Sequence, residues 1–199
     1  MVVITFTCVH VGEKYSDEEV QRLFHSIKTK YKHTFRICDE GLLPTYWNKV
    51  NYFGPLIEPF DTELVIAFDI DILIRDSLDE LVEWGMDVIT DLPYFCWARW
   101  RENYPDQETL FNSSIIAWKP EQTQRQIFNK FETWHLDMPG FDYFLERQNI
   151  ELGLIPDQFY YSAFFEDWQE LDYPIVLFNQ CPDKSTIPVK APWTKNYGF

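Results

Sequence analysis

The residues best suited to do chemistry in this chain are Asp69 and Asp71, which sit inside the run Leu64 to Arg75, LVIAFDIDILIR. That run reads as a buried strand, because β-branched and large apolar residues fill it with hardly a break. An ionised carboxylate among Ile and Phe is costly unless it is paired, or else it gives up its charge. In an extended chain residues two apart point to the same side, so both carboxylates can converge on one point. A divalent cation held by oxygen ligands, with a phosphate on its far side, suits such a point. The alternative is an acidic pair at a strand end, facing water or an arginine such as Arg75. This is the sole Asp-x-Asp of the chain, and it lies in the strongest apolar run.

The surrounding pattern supplies elements able to position such a pair. Val2 to Val9 reads as a strand, and Ser16 with Glu19 three residues on forms a capping box that opens a helix. Val20, Leu23, Phe24, Ile27 and Tyr31 then recur at helical spacing, and Thr34 to Cys38 is a second strand. Strand, helix, strand is a βαβ unit, which predicts an α/β fold with a mostly parallel sheet, helices on both faces, and ligands at the carboxyl ends of its strands. Asp39 and the residues after Val9 lie at such ends. Trp47-Asn48-Lys49 begins a short helical stretch, Asp76 to Leu81 reads as a cap and short helix, and Met86 to Thr90 as a fourth strand ending at Asp91. Tyr94 to Pro105 shows no regular period and reads as a loop over the site. Phe111 to Trp118 is a fifth strand, followed by a helix from Pro120 to about Trp134. Helices are expected over Phe141–Gln148 and Asp157–Phe165, and a last strand over Pro174–Phe178. With no repeats or linkers, residues 1–199 read as a single domain, nucleotide-binding over roughly 1–91 and acceptor-binding over roughly 92–199.

Composition narrows the partners. A formal charge of −15 with no cluster of Lys and Arg sets aside nucleic acid. Eight Trp, eleven Tyr and seventeen Phe exceed what a core of this size needs, so some are expected to line a site as flat faces for sugar rings or a nucleobase. Cys8, Cys38, Cys96 and Cys181 are widely spaced with no Cys-x-x-Cys, which favours buried free thiols in a reducing compartment. Neither a leader nor a membrane-spanning run is evident, so the expectation is a cytoplasmic protein.

Three features in order carry a resemblance: Phe68-Asp69-Ile70-Asp71, then Phe111-Asn112-Ser113-Ser114, then Asp157-Gln158. The chain resembles the metal-dependent GT-A glycosyltransferases, in particular the retaining set that includes glycogenin and bacterial galactosyltransferases, and phage- and virus-encoded sugar transferases. The likeness runs from the first strand to Ala191-Pro192-Trp193. It implies transfer of a hexose or deoxyhexose from a nucleoside diphosphate sugar, UDP-linked by analogy, to a glycan or glycoprotein, with retention at the anomeric carbon. For a virus-encoded enzyme the site of action would be the host cytoplasm. Asp69 and Asp71 match the motif that holds Mn2+ (or Mg2+) against the diphosphate, where the ion acts as a Lewis acid. Lys49 matches a lysine near the nucleotide, and Val9 and Asp39 match the stretch cradling the base. Asn112 matches an asparagine that bonds sugar hydroxyls, while Asp157 and Gln158 match an Asp-Gln pair beside the anomeric carbon. Asp157 after Pro156 is equally a helix cap. Asp91 is placed like an acid touching donor or acceptor, and Arg99 and Arg101 like contacts to phosphate or acceptor. One departure is plain: the family's third metal ligand is a histidine near the carboxyl end, and here Val176 to Gln180 has none, leaving the oxygen of Asn179 or water.

Two other readings compete. Four apolar residues before Asp-x-Asp also open haloacid dehalogenase-type phosphatases, with Asp69 as nucleophile. Those continue with Gly-Thr or Thr-Val, whereas Ile72-Leu73 follows here. The second is a non-catalytic nucleotide-sugar or glycan binder on a transferase fold.

Overall fold

A computed structural model describes residues 3–39, 43–54, 60–97, 109, 111–120, 125–178, 181 and 183–199. Its elements in order are β1 (Val3–Val9), α1 (Asp17–Ser26), β2 (Lys32–Cys38), β3 (Leu64–Phe68), β4 (Leu73–Ile74), α2 (Asp79–Val88), β5 (Tyr94–Trp97) and β6 (Phe111–Trp118). There follow α3 (Arg125–Lys130), α4 (Phe141–Arg147), β7 (Gly153–Leu154), β8 (Tyr160–Ser162), β9 (Ile175–Leu177) and α5 (Ile187–Lys190). A 3-10 stretch, Thr45–Phe53, precedes β3.

The main sheet runs β2-β1-β3-β6-β5-β7. β1 pairs parallel with β2 and β3, β5 pairs parallel with β7, and β6 lies antiparallel between β3 and β5. The alternation of side chains along the inner strands serves two cores. Ile4, Phe6, Leu64, Ile66 and Phe68 face α1 and α2 through Val20, Leu23, Leu81 and Val82. Val65, Ala67, Phe95, Ile116 and Trp118 face the other way, onto Trp47, Val50, Ile127, Phe141 and Phe144. The expected α/β architecture with helices on both faces is therefore the observed one. A small sheet, β4-β9-β8, closes a third cluster at the carboxyl end.

α1 starts as its residues dictate. The Ser16 side chain accepts from the Glu19 N–H at 3.3 Å while the Ser16 N–H donates to Glu19 Oε2 at 2.8 Å. All four cysteines are free and buried, as their spacing implies.

Several segments depart from the sequence reading. The long run does not form one strand: β3 ends at Phe68, Asp69 to Asp71 turns away, and β4 joins the other sheet against β9. An unbroken apolar run states that each residue is buried, not that one sheet buries them all. Met86–Thr90 is no strand, because α2 continues to Val88 and packs Gly85 against Leu64, whose Cδ2 lies 2.9 Å from where a Cβ would sit. The irregular stretch after Pro93 contributes β5, a strand too short to show a period. Asp157–Phe165 gives a three-residue 3-10 turn and then β8, since parallel pairing of Tyr160–Ser162 with β9 outweighs helix propensity.

Candidate active site

The carboxyl ends of β1 and β3 and the amino end of the antiparallel β6 meet at one edge of the sheet. There they open a cleft of about 510 Å3, a size suited to a small ligand. Val9, Lys49, Asp69, Asp71 and Asn112 line it, with Tyr15, Tyr46, Ser113, Phe141 and Asp142. Val9, Lys49, Asp69, Asp71 and Asn112, all singled out in the sequence, thus come together from segments far apart in the chain. Tyr15 and Tyr46 add aromatic side chains to its lining.

Lys49 reaches the cleft floor from the 3-10 stretch, which Trp47 and Val50 anchor in the core. Its Nζ lies 2.6 Å from Asp69 Oδ1 and donates to Ser113 O at 2.8 Å and Ser113 Oγ at 2.9 Å. Asp71 Oδ2 accepts from Lys184 Nζ at 2.6 Å and from the Tyr15 hydroxyl at 2.9 Å. The counter-charges of the acid pair are therefore two lysines. Arg75, the alternative considered from sequence, instead bonds Leu171 O and the Tyr197 hydroxyl and pairs with Glu170 at 3.4 Å. Burial pushes the Asp71 pKa up, but the charge and hydrogen bond of Lys184 outweigh it and hold the carboxyl below its usual value. Burial, followed by the neighbouring Asp71, raises the Tyr15 phenol well above its ordinary range, so it stays a donor.

The β5–β6 ladder slips between Phe95 and Cys96, which moves the pairing from Ile116 to Asn112 and leaves Ser113 to Ile115 bulged. The bulge turns consecutive side chains, Asn112 and Ser113, into the same cleft. Asn112 Oδ1 accepts from the Ser114 N–H at 3.0 Å, and its Nδ2 donates to Asp142 Oδ2 at 3.5 Å. Asp142, on the first turn of α4, was not singled out in the sequence. Its Oδ1 is sealed from solvent and has no hydrogen-bond partner among the described residues. Burial raises its pKa, opposed by Lys49 and by hydrogen bonds from Ser113. The signal that could have found it is a lone acid between Phe141 and Phe144–Leu145 on an otherwise apolar helix face.

The remaining candidates lie elsewhere. Asp157 and Gln158 are exposed on the turn after β7, at the far edge of the sheet, and do not line the cleft. Asp39 is exposed just past β2, and Asp91 is exposed between α2 and β5. Asn179, Arg99 and Arg101 fall outside the described residues.

Whether the pair can hold a divalent cation turns on its donor set. Among the described residues no group of three or more His, Cys, Asp or Glu gathers at one point. Asp69 and Asp71 nonetheless both line the cleft and offer hard carboxylate oxygens. Mg2+-like ions are commonly bound by one or two carboxylates together with substrate phosphates rather than by a full protein cage. The residues fit an ion of that kind, completed by ligand oxygens.

No family model matches the sequence, and neither does any curated protein. Solved structures do match. An active-site mutant of LgtC superposes with a TM-score of 0.62 at 13% identity over 96% of each chain. The galactosyltransferase LgtC in complex with donor and acceptor sugar analogs gives 0.60 at 12% over the same share of each chain. A glycosyltransferase involved in the glycosylation of the major capsid of PBCV-1 gives 0.58 at 11%, covering 96% of this chain and 98% of that one.

This is the GT-A fold. Mouse xyloside xylosyltransferase 1 shares it, with a TM-score of 0.51 at 14% identity over 90% of this chain and 86% of that one. On the GT-A fold described here, no helix among the described residues is long and apolar enough to cross a membrane.

Proposed function

We propose that this protein is a glycosyltransferase that moves a sugar from a nucleoside diphosphate sugar, UDP-linked by the sequence likeness, onto a glycan or glycoprotein. The observation that carries the reading is the convergence of Asp69, Asp71, Lys49, Asn112 and Asp142 on one cleft at the carboxyl ends of β1 and β3. The neighbours by fold support it, since each is described as a glycosyltransferase or a mutant of one. In this reading Asp69 and Asp71 hold Mn2+ or Mg2+, which when bound neutralises charge on the leaving diphosphate. Lys49 is fixed by three bonds and orients Asp69. Asn112 and Asp142, both lining the cleft, receive donor-sugar hydroxyls. Tyr15 and Tyr46 offer stacking faces to the base or the sugar. Retention at the anomeric carbon is the expectation carried by the resemblance.

A thermal-shift screen of nucleoside diphosphate sugars with and without Mn2+ tests the proposal. A donor that raises the midpoint, with transfer or slow hydrolysis detected by NMR, supports it, and the anomeric proton of the product reports stereochemistry. If no nucleoside diphosphate sugar binds under either condition, the reading is wrong. The second reading, a binder without turnover, draws on the position of Asp157 and Gln158 outside the cleft. It predicts saturable donor binding with neither transfer nor hydrolysis.

A further inference from the structure

The two lysines that neutralise the acid pair are not equivalent. Lys49 is 8% exposed, carries three bonds and rises from a packed 3-10 stretch. Lys184 opens the short 3-10 turn Lys184–Thr186, is 23% exposed, and among the described residues bonds Asp71 Oδ2 and Phe178 O, the latter at 2.8 Å. With both ammonium groups in place, the formal charge of two carboxylates and two lysines is zero. Asp142 and Lys14 also line the cleft and cancel in the count, Lys14 bearing on Asp71, so no surplus negative charge waits there for a dication. Asp71 is 15% exposed against 30% for Asp69, so a divalent ion reaching Asp71 must crowd the ammonium already on its Oδ2 and meets strong repulsion, while the more open Asp69 leaves more room beside Lys49.

We infer that Lys184 is a resident stand-in cation on Asp71, and that a divalent ion takes up the acid pair only by displacing the Lys184 ammonium. The inference rests on the assignment of Asp69 and Asp71 as ion-binding residues. Its consequence is ordered loading: free ion binds weakly, and a diphosphate, by bringing the missing negative charge, admits ion and nucleotide together. Lys184 has the freedom to leave, because it sits at the start of a short turn with its side chain partly in solvent. Lys49 does not.

The test is Mn2+ titration of the full chain by EPR without nucleotide, with circular dichroism as the check on folding. Lys184→Met is expected to bind one Mn2+ at least tenfold more tightly than the unaltered protein, and Lys184→Gln to do the same should the methionine variant fold poorly. Lys184→Arg, which keeps the charge, should stay as weak as the unaltered chain, and Asp71→Asn in the Lys184→Met background should abolish the gain. Addition of UDP to the unaltered protein should tighten Mn2+ by a similar factor. Equal Mn2+ affinity in the unaltered protein and both neutral variants overturns the inference, as does an arginine variant that gains as much as the methionine one. Failure of the glycosyltransferase reading shows separately, as absence of any nucleoside diphosphate sugar binding, whatever the ion titration gives.

Discussion

Asp142→Asn separates the stability of this fold from its chemistry. Oδ1 of Asp142 is sealed and unpartnered among the described residues, and burial raises the pKa of the group. A buried polar group left unsatisfied costs roughly 1–3 kcal/mol, and more when charged. Exchanging the carboxylate for an amide removes the charge, keeps the shape and preserves an oxygen for the Asn112 amide. A gain of about 1 kcal/mol at pH 7 follows, or about 2–4 °C in Tm for a chain of this size. The pH sign is set by linkage. A carboxyl with a raised pKa in the folded state binds its proton more readily there than in the unfolded chain. Its penalty is therefore full above the folded pKa, and it vanishes as pH falls to the unfolded value near 3.8. The advantage of the variant should be largest at neutral pH and shrink on acidification. Turnover should move the other way. Loss of a charge-assisted hydrogen bond to the donor sugar, about 1.5–3 kcal/mol, lowers kcat/KM by about 10- to 100-fold. Scanning fluorimetry of both proteins from pH 7 to pH 4, beside a donor-turnover assay, measures the two effects. A variant that melts several degrees lower at pH 7, or whose gain ignores pH, would refute the account of Asp142.

Three further outcomes follow from the same structure. Lys49→Met removes the partner of Asp69 and leaves Ser113 short of a donor; because Asp69 is 30% exposed, the loss is discounted to about 2–3 kcal/mol, seen as a Tm lower by about 5–10 °C. Asp79 is held below its usual pKa by the Thr29 hydroxyl and then by the Lys30 N–H and Ser77. Asp79→Ala should accordingly lower Tm at pH 7, with the difference fading as pH falls through the folded pKa, where the aspartate takes up its proton. The Cys8 thiol is pushed up to about 12 by burial, then by Cys38 and Asp69, and Cys96 is raised well above its ordinary value by burial. Neither should react with iodoacetamide at pH 8 in the native protein, and peptide mass mapping should find both labelled only after denaturation.

Local signals carried much of this protein. The capping box at Ser16 and Glu19, the spacing of Val20 and Leu23, and the apolar runs of β1, β3 and β6 each state their own structure, because caps and side-chain periods act over a few residues. The need of the Asp69–Asp71 pair for a counter-charge was legible, because two acids in an apolar run cannot stay unpaired. What the chain could not state locally was the identity of that counter-charge: Lys49 lies 20 residues before Asp69 and Lys184 lies 113 after Asp71, and only folding brings them to 2.6 Å. Tertiary pairing likewise turned Tyr160–Ser162 into a strand against β9 and carried α2 through Val88. It also set Asp142, an unremarked acid on a short helix, on the cleft floor and left Asp157 on an outer turn. Sequence determines which residues must be buried or charged, since that depends on their own chemistry. Which of them meet is settled by packing between segments distant along the chain.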